Sequence, residues 1–338
     1  MIKIGLRFND VSDPALQRAA QIGAHGGPIG FQSIPGAMDG TPDAAALRQI
    51  KNRFESWGLE LAGMELGRPQ FAGVLHGDAE RARPELARLV TTLEVLGDLG
   101  LPLVNIGFSV ARADLVPRLW PGYSSDPNGR AGTQRRTFDA SRLADADNVT
   151  WGTPNAAKPG VLVTRDEHLR RMDVLMDAIL PVAERHSLRL AFHPNDPPLS
   201  IYRGVEQPFI NPNGLDELLT RYSSPSVGLL YCMGTMYESG ADMTEGLRRF
   251  GARGKLFCLH FRNVIGKVPN FQEVFPDEGN HDPVEHIRLL HAIDYSGFLL
   301  PDHYPGILGD DSTHELAETW CVAYFRALIQ ATRPILSV

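Results

Sequence analysis

Short apolar runs alternate along the chain with segments whose apolar positions recur at helical spacing. The runs Ile2–Phe8, Pro28–Gln32, Leu59–Leu66, Leu101–Phe108, Leu188–His193, Val227–Cys232, Lys255–Phe261 and Phe298–Asp302 read as strands. The intervening segments Asp13–Ala24, Ala44–Trp57, Ala79–Leu99, Asp166–His186, Leu215–Arg221, Met243–Gly251, Val284–Ile293 and His314–Thr332 read as helices. Thr164 followed by Glu167 makes a capping box, and Gly58, Gly100 and Gly297 stand where helices should stop. Eight strand–helix units in succession predict an α/β fold, a (β/α)8 TIM barrel. An open doubly wound sheet shares the alternation, but no GxGxxG follows the first strand. Residues 1–338 read as one barrel domain. The stretch 109–163 after the fourth strand interrupts the rhythm, and its segment Gly122–Gly160 is rich in Gly, Pro, Asp, Asn and Arg. It follows a strand's C-terminal end, where barrels build active sites, and reads as a lid-like insertion.

Composition narrows the class. The 338 residues carry 33 Lys+Arg against 40 Asp+Glu, a net charge of −7, and 43% are hydrophobic, so a large core is expected. An acidic chain lacks the basic face that a phosphate-backbone binder needs, so no nucleic acid is expected. No apolar run approaches the roughly 20 residues of a membrane helix, and the first residues lack the apolar centre of a signal peptide. Three cysteines cannot form a disulfide framework and suit a reducing compartment. These features predict a cytoplasmic protein.

The last four strands end in chemistry. They finish on His193, Cys232, His260 and Asp302, and two-residue alternation puts each on the face shared with mostly small or apolar residues two and four back. Arg189 is the exception, at the start of its strand, where it can reach solvent. Two imidazoles, a thiolate and a carboxylate converging at the top of a barrel form a metal-ligand set compatible with Zn2+, Fe2+ or Mn2+. Arg262 shares parity with His260 and should point over the same mouth, where a guanidinium suits a carboxylate-bearing substrate. A salt bridge to Asp277 or Glu278 is the structural alternative. His303 follows Asp302 and can move protons near neutral pH. Candidate catalytic residues are therefore His303, Arg262 and Tyr304, and candidate substrate-binding residues are Arg262, Asn263, Asn105 and Asp196. Arg135 and Arg136, in the long insertion, read as solvated unless they meet an anionic substrate. Met172, Met176 and Leu180 read as core, as do Cys321 and Cys258, the latter facing inward below the ligands.

The segment Leu256–Pro305, LFCLHFRNVIGKVPNFQEVFPDEGNHDPVEHIRLLHAIDYSGFLLPDHYP, closely resembles the mannonate dehydratase family, as do His193-Pro-Asn-Asp-Pro-Pro198 and Cys232-Met-Gly-Thr235. The likeness is strong over residues 188–305 and weaker over 59–108. It implies a xylose-isomerase-like barrel with a divalent metal, Mn2+ in this family, on His193, Cys232, His260 and Asp302. It also implies elimination of water from D-mannonate to give 2-keto-3-deoxy-D-gluconate, with Arg262 holding the carboxylate and His303 in proton transfer. Two departures stand out: Asn195 occupies a position where the family usually has Asp, and Pro305–Thr319 lacks the family's catalytic tyrosine. Tyr304 and Tyr237 are the candidate substitutes. A sugar isomerase or epimerase on the same scaffold, and a non-catalytic sugar-acid binder, are the competing readings. Beyond a small sugar acid no partner is expected, and association into a homo-oligomer is compatible with such a barrel.

Overall fold

The computed structural model describes residues 1–112, 120–143, 162–310 and 314–333. In chain order the strands are β1 Lys3–Ile4, β2 Gly26–Gly30, β3 Glu60–Leu66, β4 Leu103–Ile106, β5 Tyr123–Asp126, β6 Arg135–Asp139, β7 Arg189–Phe192, β8 Ile201–Tyr202, β9 Val205–Glu206, β10 Val227–Cys232, β11 Leu256–Phe261, β12 Asn263–Lys267, β13 Asn270–Val274 and β14 Phe298–Pro301. The helices are α1 Asp13–Ile22, α2 Ala44–Ser56, α3 Ala72–His76, α4 Ala79–Asp98, α5 Arg165–Arg185, α6 Pro212–Arg221, α7 Met233–Glu238, α8 Met243–Gly251, α9 Pro283–Ala292 and α10 Glu315–Ala331.

The eight apolar runs form one parallel sheet in the order β1-β14-β11-β10-β7-β4-β3-β2. Gly5 bridges Gly26 and Phe8 bridges Ile29 in parallel, which joins the run after β1 to β2 and closes the ring. The seam is tight enough to require glycine. Gly27 has φ 151°, and a Cβ there would lie 1.9 Å from the Leu6 carbonyl oxygen. The (β/α)8 barrel expected from the alternation is therefore present. Inside it, Ala62, Leu103, Ala191, Leu230, Cys258, Phe298 and Leu300 form a packed cluster. Five of these seven stand two or four residues before a proposed ligand, as the parity argument requires. Arg189 is exposed at the start of β7, as expected.

Helix entries follow local chemistry. The Thr164 hydroxyl accepts from the Glu167 N–H at 3.3 Å to start α5. Helix α6 starts three residues earlier than its apolar period suggests, because Asn211 caps the Gly214 N–H and Pro212 occupies the first turn, where its missing N–H costs nothing. Met172 and Met176 are buried in α5 and Cys321 in α10, as expected of core residues.

The stretch after β4 is more ordered than its composition implies. Its described residues carry β5 and β6, an antiparallel pair that continues into the β12–β13 hairpin in the order β12-β13-β6-β5. Asn270, Phe271 and Gln272 face Asp139, Phe138 and Thr137 across the junction. Phe138 stacks on Phe271 at 5.0 Å, and Tyr123 meets Phe138 edge-on at 4.9 Å. The remainder of the 109–163 insertion, residues 113–119 and 144–161, lies outside the described residues.

Two outcomes are expected. Phe138→Ala removes a ring only 2% exposed, at a local cost of about 3 kcal/mol. Amides of 123–139 and 263–274 should then exchange faster, with barrel strands unchanged; unaltered exchange would mean that this packing does not hold the cover. The second concerns pH. Burial pushes His168 down to about 4, His281 to about 3 and His286 to about 4, from an ordinary 6.5. The unfolded chain takes up these protons first, so stability should fall as pH drops from about 6.5 towards 4. The thermal midpoint measured across that window should decline less steeply in His168→Phe, and an identical slope would remove His168 from the account.

Candidate metal centre and active site

Four consecutive strands in space, β7, β10, β11 and β14, end on one side of the barrel. His193 and Asp302 follow β7 and β14 directly, Cys232 closes β10, and His260 is the penultimate residue of β11. One ligand atom from each lies within 4.8 Å of all the others. The four residues singled out from strand parity are thus brought together.

Their surroundings suit a cation. The His193 Nδ1–H donates to the Pro194 carbonyl at 2.7 Å, which fixes the tautomer and leaves Nε2 as the lone-pair nitrogen. His260 Nδ1 is buried without a hydrogen-bond partner among the described residues. Burial pushes His260 down to about 3, so its imidazole is neutral and able to coordinate. Cys232 is wholly buried, and that burial drives its thiol up; a neighbouring cation would favour the thiolate. Its Sγ accepts from the Thr235 N–H at 3.4 Å as α7 begins. Asp302 is held well below the carboxylate range by His303, His260 and Arg262, against its burial. An orphaned buried imidazole nitrogen beside a buried thiol and a carboxylate fits a divalent metal.

Arg262 departs from expectation. Its guanidinium does not reach over the mouth but is 0% exposed and fully engaged by the protein. Nε donates to Glu238 Oε1 at 3.0 Å and Nη2 to Glu238 Oε2 at 2.9 Å, a bidentate pair. Nη2 also donates to Asp196 Oδ2 at 3.0 Å and Thr235 Oγ1 at 3.1 Å, while Nη1 donates to Asp302 Oδ2 at 2.8 Å. The second N–H of Nη1 faces His303 Nδ1 at 2.9 Å, so the buried guanidinium presents no open fork to a substrate carboxylate. The salt-bridge alternative holds in kind but with other partners, because Asp277 and Glu278 pair with Arg130 instead.

Three other expectations need the same correction. Asn263 donates from Nδ2 to the Pro276 and His281 carbonyls at 2.9 Å each and accepts from the Val264 N–H, so it pins a loop. Asp196 is buried between Arg262 and Tyr123, whose hydroxyl donates to Oδ1 at 2.7 Å. Asn105 is buried inside the barrel, with Nδ2 3.9 Å from Cys258 Sγ. None of the three lines the cavity bordered by Asp302 and His303. Asn195 likewise binds backbone, donating to the Phe108 carbonyl and accepting from the Phe209 N–H, each at 3.0 Å. An aspartate could not make the first of these bonds.

The cavity bordered by Asp302 and His303 has a volume of about 820 Å³ and is lined by residues including Trp120, Tyr123, Arg136, Glu273 and Tyr304. His303 Nδ1 stands 2.9 Å from Arg262 Nη1 and 3.0 Å from Glu273 Oε1, while Nε2 lies 3.6 Å from Asp302 Oδ1. Tyr237, the other candidate phenol, packs instead against His281 at 5.2 Å. Glu273 was not legible as a site residue. It lies on β13, far from any strand end of the barrel, and becomes part of the site only through the cover sheet.

Residues 162–332 match the family model described as D-mannonate dehydratase (UxuA). The Mannonate dehydratase of Thermotoga neapolitana is 30% identical over 317 residues, covering 83% of this chain and 84% of that one. Mannonate dehydratase 2 of Halalkalibacterium halodurans is 26% identical over 297 residues, covering 81% and 82%. Among solved structures, mannonate dehydratase from Streptococcus suis serotype 2 superposes with a TM-score of 0.77 at 21% identity, covering 98% of this chain and 95% of that one. With the candidate metal-ligand cluster and its flanking His303 inside the matched residues, the chain belongs to the D-mannonate dehydratase family.

Proposed function

We propose that this chain is a metal-dependent hydro-lyase that converts D-mannonate to 2-keto-3-deoxy-D-gluconate. The observation that carries the reading is the convergence of four ligand atoms within 4.8 Å beside His303, in a chain of this family. His193, Cys232, His260 and Asp302 would hold a divalent cation, with Mn2+ the proposed ion. When bound there, such a cation supplies Lewis-acid stabilisation of the negative charge that develops as C2 loses its proton.

The chain's own residues supply the rest. Elimination removes a proton from C2 and the hydroxyl from C3, and the resulting enol becomes the 2-keto acid. Glu273 Oε1 and Arg262 Nη1 both contact His303 Nδ1, which holds the ring and leaves Nε2 to take or return a proton beside the ligand set. Tyr304 lines the same cavity, and we assign its phenol to protonating the departing C3 hydroxyl. Arg262 acts behind these groups: it fixes Asp302, and through Asp302 the ligand geometry. Three buried free cysteines suit a reducing cytoplasm, and among the described residues no helix is long and apolar enough to cross a membrane.

The Mn2+-loaded protein supplied with D-mannonate should release a 2-keto-3-deoxy acid; no product would end the proposal. His303→Ala should lower kcat by about 10²- to 10⁴-fold while metal content, measured by elemental analysis, stays intact. A wild-type rate in that variant would remove His303 from proton transfer. Cys232→Ala and His260→Ala should each lose bound Mn2+, and undiminished metal content in both would discard the ligand set.

A further inference from the structure

The burial of Arg262 leaves the substrate's carboxylate without an anchor, and the cover sheet offers one. We infer that Arg136, on β6, binds the carboxylate of the sugar acid and makes the site select acids over neutral sugars. This rests on the dehydratase reading for the identity of the acid, but its chemistry is recognition of a carboxylate on a polyhydroxy chain.

Several observations support it. Among the described residues lining the 820 Å³ cavity, the arginines are Arg135 and Arg136. Arg135 is already committed, with Nε and Nη2 2.9 and 2.8 Å from Asp126 Oδ2. Arg136 is 37% exposed, against 0% for Arg262, and its contact with Glu273 Oε2, at 3.8 Å, is beyond hydrogen-bond distance. Nε and Nη2 hydrogen-bond no described residue, so that edge of the fork is available to a second carboxylate in a bidentate geometry.

The guanidinium is also aimed. Its Cζ lies 5.2 Å from the Trp120 ring centroid and 5.6 Å from that of Tyr123, so two aromatic rings orient it without consuming its N–H groups. The strand beneath it is fixed on both sides, by Ser125 opposite Arg136 on β5 and by Gln272 opposite Thr137 on β13. Finally, Arg136 Nη1 stands 3.2 and 3.4 Å from the two His303 ring nitrogens. A carboxylate gripped there puts the carbons one and two bonds away beside His303, where elimination has to occur. The surrounding charge calls for such a cation. Glu273 and Asp302 line the cavity, so an acid approaching the ligands meets two protein carboxylates and needs a positive group at its own carboxylate end.

The test is binding rather than turnover. Calorimetric titration of the Mn2+-loaded protein would compare D-gluconate with the neutral polyol D-mannitol in wild type, Arg136→Gln and Arg136→Lys. Wild type should prefer gluconate, Arg136→Gln should weaken gluconate about 10- to 100-fold with mannitol unchanged, and Arg136→Lys should fall between. A gluconate preference that survives Arg136→Gln, or is missing in wild type, would overturn the inference. So would equal loss of both ligands, which marks a structural role. If gluconate discrimination depends on Arg136 but D-mannonate yields no product, the dehydratase reading fails and the anchor stands.

Discussion

A guanidinium taken completely out of water is the constraint around which this site is organised. Burying a charge costs several kcal/mol unless hydrogen-bonded partners of opposite sign replace the lost water, and removing one partner of such a pair typically costs about 3–5 kcal/mol. Arg262 meets that demand with Glu238 and Thr235 from α7, Asp196 from the loop after β7 and Asp302 after β14. One side chain therefore ties together three of the four segments that carry the ligands. It also fixes how Asp302 can act: Oδ2 is committed to Arg262, which leaves Oδ1 facing the His260 and His303 rings. Backbone has to yield to this arrangement. A Cβ on Gly234 would lie 2.2 Å from Arg262 Cγ, so α7 can pass over the guanidinium only with glycine at that point.

The second organising element is the antiparallel sheet above the barrel. Two insertions distant in sequence, one after β4 and one after β11, complete each other through β6 and β13. The pairing is more than a cover. It carries Glu273 to His303 from one hairpin and Arg136 to the same ring from the other. The segment after Asp302 joins them, since the Gly306 N–H donates to the Gln134 carbonyl at 3.3 Å. The stretch that lacks the family tyrosine is thus held by the cover through its backbone, with Tyr304 and His303 projecting into the cavity between them.

What could be read from the sequence followed the physics of burial. Strands enclosed on both faces must be apolar along their length, so eight such runs announced the barrel, and the polar residue ending each of the last four was conspicuous against them. Alternation then gave the correct inward face, down to Cys258 below His260. The cover sheet escaped because its strands are short and largely polar. Arg135–Asp139 presents a single buried ring, Phe138, too little for a period to show. Arg262 was misjudged for a related reason. Parity fixed its direction, but its depth is set by Glu238 and Asp196, which lie 24 and 66 residues away in sequence. Asn263 and Asp196 stood at the right strand ends and were recruited to backbone and to Arg262, a use that only their neighbours reveal.

The distinction between Arg262 and Arg136 follows from the same electrostatics. A recognition cation has to exchange water for ligand at modest cost, so it needs partial exposure and an unfilled fork. A positioning cation must not move, so every N–H is filled and solvent is excluded. Combining both tasks in one arginine would make ligand geometry at Asp302 depend on whether substrate is present. Separating them, with one arginine below the ligand set and another in the cover above, lets the ligand end of the site stay preorganised while the acid end exchanges water for ligand. In a chain of net charge −7 that has to admit an anion, the attraction comes from where these few positive groups stand rather than from their number.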